Sequence, residues 1–180
     1  MVEVTMAYRG VAPRLGNDDF VAPTARIIGD VEIGADSSVW FGCTVRADVN
    51  FIRIGARTNI QDGCVIHVDS KRHPTIVGNN VTIGHMALIH ACTIESGAFV
   101  GMNATIMDSA VVASGAMVAA GALVTPGKRV PDGEVWAGQP ARYHRSLTDQ
   151  ERADLLDTVD RYVALARSYR QDTVRTTEFR

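Results

Sequence analysis

Through the second half of the chain an aliphatic residue recurs every six positions: Leu88, Ile94, Val100, Ile106, Val112, Val118 and Val124. The fourth residue after most of these is alanine: Ala98, Ala104, Ala110, Ala116 and Ala122. Upstream the same frame reads Val21, Ile27, Ile33, Val39 and Val45, then Ile54, Ile60 and Ile66, then Val77 and Ile83. Three extra residues interrupt it around Asn50–Phe51–Ile52 and five within 69–75, and one is missing between Ile83 and Leu88. A period of six fits neither a 3.6-residue helix nor an alternating hairpin strand. It fits a solenoid of parallel strands with three flat faces of six residues each, every aliphatic pointing inward. The small residue then sits at a corner, where Gly97, Gly115 and Gly121 just before it supply the tight backbone. Stacked coils pair their backbones at ~4.8 Å, and 17 hexads make a little under six coils.

The hexads over roughly residues 15 to 135 resemble the left-handed parallel β-helix superfamily, and the left hand is implied by that resemblance. The end of the chain is different in kind. Thr148 followed by Glu151 is a capping-box pattern. Leu155, Val159, Tyr162, Val163, Ala166 and Tyr169 fall on one helical face. The pattern predicts a helix over about 149–169, laid against the solenoid or a neighbouring subunit, and then a frayed tail. The expected fold is an all-β solenoid over 1–145, followed by a C-terminal α-helix and tail over 146–180.

Composition narrows the partners. A net charge of −2 gives no basic field for nucleic acid. No apolar run reaches the ~20 residues of a membrane span. The N-terminus has no basic segment leading into an apolar core. Three cysteines, an odd count, argue against a disulfide framework and for the reducing cytoplasm. Cys43, Cys64 and Cys92 occupy the small-residue slot of the repeat, which makes them packing residues in the first instance. Tyr143 and His144 read as ordinary surface at the end of the solenoid.

His85 and His90 lie five apart in a small, apolar run. Odd spacing on an extended chain, with a corner between, sends their side chains apart. His67 changes the picture. Three hexad steps lead from Ile66 to Leu88, so His67 (one after its aliphatic) and His90 (two after) share a face in adjacent coils. His85 sits on the preceding face. A metal site using all three needs His67 and His90 from one chain and His85 from another, which a threefold assembly supplies. Three imidazoles with an open position describe a hydrolytic zinc site, where bound water ionises near neutral pH. Around them stand Arg46 and Asp48 after Val45, and Asn59, Gln61 and Asp62 around Ile60. Arg46 is placed to pair with Asp62 across such an interface, and Gln61 to orient the hydroxide.

Arg46–Ala47–Asp48, Asn59–Ile60–Gln61–Asp62, His67 and the Gly84–His90 stretch together resemble the γ-class carbonic anhydrase pattern. The likeness runs on through Ala137–Arg142 and the C-terminal helix, nearly the whole chain. It implies a trimer of β-helices with Zn2+, or Fe2+ or Co2+, between subunits, held by His67, His85 and His90. Gln61 and Asn59 become catalytic, and Arg46, Asp62 and Asp48 form the interface ion pair and its polar layer. The implied reaction is hydration of CO2 to bicarbonate. Two features depart from the pattern. Val49 stands where the archetype has a glutamate, and the segment from His67 to His85 lacks its acidic proton-shuttling loop. His73 is the titratable candidate near the rim to replace the shuttle, the alternative reading being an exposed loop histidine beside Lys71 and Arg72. Activity is therefore expected to be weak. Two other readings stay open on this scaffold: a CoA-thioester hydrolase or hexapeptide acyltransferase, and a non-catalytic metal-stabilised trimer.

Overall fold

The computed structural model describes residues 4–70 and 73–178, with side chains placed up to residue 172. Three columns of aliphatics define three faces around one core. The first runs Ile27, Val45, Ile66, Ile89, Ile106, Val124. The second runs Ile33, Ile54, Val77, Ile94, Val112, Val130. The third runs Val21, Val39, Ile60, Ile83, Val100, Val118 and ends on Trp136. Almost every member is excluded from solvent, and each fully buried Ile or Val adds ~1.5–3 kcal/mol over its exposed state. The third residue before most of these aliphatics has a positive φ, glycine at Gly97, Gly115 and Gly121 but Met86, Ala91, Asn103 and Ser109 elsewhere. That recurring left-handed residue turns the chain at each corner.

The first two faces form one 11-stranded sheet, because strands Arg26–Ile33 and Thr44–Ile54 run unbroken across a corner. The third face is an 8-stranded sheet whose last strand, Arg142–Ser146, folds back antiparallel on Glu134–Ala137. Seven parallel strands therefore stack on that face, and the solenoid has about seven turns. The hexad count fell short because the coil continues past Val124 through Arg129–Val130 and Glu134–Ala137. At the other end Thr5–Met6 pairs with Ile27–Ile28.

The missing residue lies elsewhere than the hexads placed it. Leu88 points outward at 37% exposure, while Ile89 is buried between Ile66 and Ile106. The frame therefore holds from Ile83 to Ile89, and the corner His90–Ala91–Cys92 is one residue short. Either aliphatic satisfies a spacing rule, and only pairing with the adjacent coils selects Ile89.

The helix spans Asp149–Glu178, continuing well past the expected end at 169 and through most of the expected frayed tail. Its first turn closes as the capping box predicts: Glu151 N–H donates to Thr148 Oγ1 at 3.2 Å, and Thr148 N–H to Glu151 Oε2 at 2.9 Å. The helix covers the 8-stranded face. Val159, Val163 and Ala166 are buried, and Tyr162 and Tyr169 meet Trp40 edge to face with ring centroids 5.5 and 5.3 Å apart. Ion pairs tie it to successive corners: Arg152–Asp132, Arg57–Asp160, Arg167–Asp36 and Arg170–Asp18. Among the described residues no helix is long and apolar enough to cross a membrane.

Candidate metal centre

The register of the first face brings two of the predicted residues together. Val65–Ile66–His67 pairs residue for residue with Leu88–Ile89–His90, so His67 and His90 stand directly opposite. Both follow their inward isoleucine by one, a closer match than the shifted hexad frame implied. Their imidazoles meet with His67 Nδ1 at 3.3 Å from His90 Nε2.

Each outer nitrogen is held by a carboxylate. His67 Nε2 lies 2.9 Å from Asp48 Oδ1, and His90 Nδ1 lies 2.6 Å from Asp108 Oδ1. An ionised carboxylate only accepts, so the ring nitrogen facing it carries the proton. The two inner nitrogens then both bear lone pairs. Lone pairs that face each other repel unless a cation or proton lies between them, and a carboxylate on the far nitrogen is the usual partner of a metal-bound histidine. The donor set thus fits a metal ion. Arg46 pairs with the other oxygen of Asp48. Burial works against ionisation of Asp48, yet the hydrogen bonds from His67 and Arg46 outweigh it and hold the carboxyl below its ordinary range.

The remaining predicted residues lie on the other sheet. Asn59 and Gln61 flank inward Ile60 on the helix-covered face and are buried, at 1% and 4% exposure. Gln61 Nε2 donates to Asn59 Oδ1 at 3.0 Å, and Asn59 Nδ2 donates to Thr82 Oγ1 at 2.9 Å. His85 follows the strand Thr82–Ile83 of that sheet, and its Nδ1 lies 2.9 Å from Asp62 Oδ2. Within one chain Arg46 therefore pairs with Asp48, and Asp62 with His85. Among the described residues of one chain, no three His, Cys, Asp or Glu side chains converge on a common point. Within one chain the predicted residues are thus divided, His67 and His90 on one face and His85, Gln61 and Asn59 on the preceding face and its corner.

His73 sits in the loop after Val65–His67. Its carbonyl accepts from Asp69 N–H at 3.2 Å, and Asn50 Nδ2 ties the same loop through the Asp69 carbonyl. A recess of about 300 Å³ opens beside Asp48, and both Asn50 and Val49 line it. An apolar side chain thus stands in that wall, where the family pattern has an acid. The cysteines are packing residues: Cys43 and Cys64 thiols donate to the Gln61 and Gly84 carbonyls at 3.0 and 3.1 Å. Burial pushes the Cys92 thiol up to about 12.

Sequence reasoning missed Asp108. Its signal was present, since it is the lone charged residue between Glu95 and Lys128.

Fold and site together define a hexapeptide-repeat solenoid carrying a carboxylate-anchored histidine pair on its first face. No family model matches the chain. The probable carbonic anhydrase of Methanocaldococcus jannaschii is 53% identical over 146 residues, 81% of this chain and 91% of that protein. The mitochondrial gamma carbonic anhydrase 1 of Arabidopsis thaliana is 48% identical over 163 residues, 88% of this chain and 59% of that protein. This chain spans about three-fifths of the length of such plant relatives. In structure, a hexapeptide transferase family protein from Anaplasma phagocytophilum superposes with a TM-score of 0.90 at 47% identity, covering 94% of this chain and 99% of that one. The chain belongs to the γ-carbonic anhydrase family.

Proposed function

We propose that the protein hydrates CO2 reversibly to bicarbonate, at a metal site shared between subunits of a homotrimer. The observation that carries this reading is the approach of His67 Nδ1 to His90 Nε2 at 3.3 Å, each ring anchored on its far side by a carboxylate. Zinc is the proposed ion, with iron(II) or cobalt(II) as alternatives, and zinc supplies hydroxide at neutral pH by lowering the pKa of bound water to about 7. His67 and His90 of one subunit hold it together with His85 of a neighbour. The split of the site between two faces supports the shared arrangement, because heterologous contacts around a threefold axis bring one face against the next.

Asn59 and Gln61 travel with His85, being on its sheet. Gln61 spends its amide N–H on Asn59, which turns its carbonyl oxygen into the group free to accept from the nucleophile and orient it. Arg46 holds Asp48, and Asp48 holds the His67 ring. In the assembly Arg46 is also within the layer where Asp62 of the neighbour would pair with it. The proton released at each turnover has no acid at Val49 to receive it. His73, on the loop tied to Asn50, is the residue proposed to pass it to buffer.

The test is stopped-flow CO2 hydration after anaerobic loading with zinc or iron(II), against His90→Ala in the same buffers. Activity well above the variant establishes the reaction. Metal bound near one per chain with no hydration rejects CO2 as substrate and turns attention to thioesters.

A further inference from the structure

We propose that Asp108 is the positioning residue that fixes His90 as its Nδ1–H tautomer and aims the Nε2 lone pair at His67. The consequence for metal affinity rests on the metal-site reading above; the tautomer itself does not. At 2.6 Å the His90–Asp108 contact is slightly shorter than the ~2.7–2.9 Å usual for charge-assisted N–H···O hydrogen bonds. Among the described residues Asp108 is ion-paired with His90 alone, whereas Asp48 divides its charge between His67 and Arg46.

The backbone explains why the carboxylate is so placed. Asp108 lies two residues beyond inward Ile106, in the coil stacked on Ile89. Its carbonyl accepts from Gly127 N–H at 2.9 Å, and the N–H of the next residue, Ser109, donates to the Ala91 carbonyl at 2.8 Å. Ser109 has φ +61° and Ala91 φ +48°, so two left-handed corners stack here. The corner at Ala91 is the shortened one. The frame that holds from Ile83 to Ile89 sets His90 one position after its isoleucine, in line with His67, and its Nδ1 lies against the Asp108 carboxylate of the next coil. Coil register and the isolated aspartate are thus two parts of one device: register brings the ring opposite His67, and the carboxylate sets which nitrogen faces it.

The experiment uses the whole chain labelled with 15N-histidine, metal-free, with long-range 1H–15N correlation to assign the His90 tautomer. Zinc affinity is measured in parallel by competition with a chromophoric chelator. Wild-type His90 is expected as Nδ1–H. Asp108→Ala is expected to give a mixture of tautomers and to lose zinc affinity by about 10–100-fold, the range for removing the carboxylate partner of a metal-bound histidine. Asp108→Asn keeps an oxygen acceptor and is expected to retain the tautomer and recover most of the affinity. It serves as the folded control should the alanine variant fail to fold. An unchanged His90 tautomer and unchanged zinc affinity in folded Asp108→Ala overturn the proposal. If wild-type protein binds no zinc, the metal reading fails, while the tautomer shift still decides the role of Asp108.

Discussion

His67 Nδ1 and His90 Nε2 face each other at 3.3 Å across two adjacent coils, although 23 residues separate them in the chain. The parallel register that pairs Ile66 with Ile89 creates this contact, and a carboxylate lies against the outer nitrogen of each ring. His85 lies beyond the strand of a different sheet, with its own carboxylate at Asp62.

If the site is shared between subunits, His85→Ala should lose bound metal as fully as His67→Ala, despite leaving the His67–His90 pair untouched. Metal content after gel filtration, with mass from light scattering, checks this. A His85→Ala protein at full metal content removes His85 from the ligand set, and a metal-loaded monomer removes the shared site.

The assigned frame can be tested at two adjacent residues. Ile89→Ala should destabilise by about 2–5 kcal/mol, because it opens a cavity in a fully buried column. Leu88→Ala removes an outward side chain and should cost less than about 1 kcal/mol in the isolated chain. Urea unfolding of both variants reads the difference; the reverse order would restore the shifted frame.

The helix should depend on its aromatics more than on its charges. Four exposed ion pairs contribute about 0–1 kcal/mol each and are screened by salt. Trp40, 4% exposed and packed against the Phe20, Tyr162 and Tyr169 rings, should cost about 3–5 kcal/mol on truncation to alanine. Hydrogen exchange over residues 159–166 is expected to stay slow in 1 M NaCl and to become fast in Trp40→Ala.

Asp19 provides a pH dependence remote from the site. Burial raises its carboxyl to about 6 against an ordinary 3.8, although Ser37 and Gly16 N–H groups donate to it and work the other way. The folded chain therefore holds this proton more tightly than the unfolded chain. The stability it contributes is full below about pH 3.8 and is lost as pH rises through about 6. The stability of wild type minus that of Asp19→Asn should fall between pH 4 and 7. Urea midpoints across that range measure it, and a flat difference contradicts the raised carboxyl.

Much of this architecture is legible in spacing. Inward aliphatics at six-residue intervals, alanines and thiols in the corner slot, and the Thr148–Glu151 cap each reflect a local rule that one residue type satisfies at one place. His67, Gln61 and His85 were visible because polar residues stand out in so apolar a repeat. Leu88 and Ile89 show where this reasoning stops. Two adjacent aliphatics satisfy the period equally, and one missing residue can be taken up at either of two corners.

Hydrogen bonding to the neighbouring coils breaks that tie, because stacked strands satisfy their backbone groups in one register only. From it follow the opposition of His67 and His90 and the reach of Asp108 to His90. The helix's continuation to Glu178 and the burial of Gln61 are likewise products of packing, since propensity alone does not say which face a helix will cover. Periodicity is local, repeating every six residues whatever lies beside it. The His67–His90 pair is a relation between coils, and it exists only once the coils are stacked.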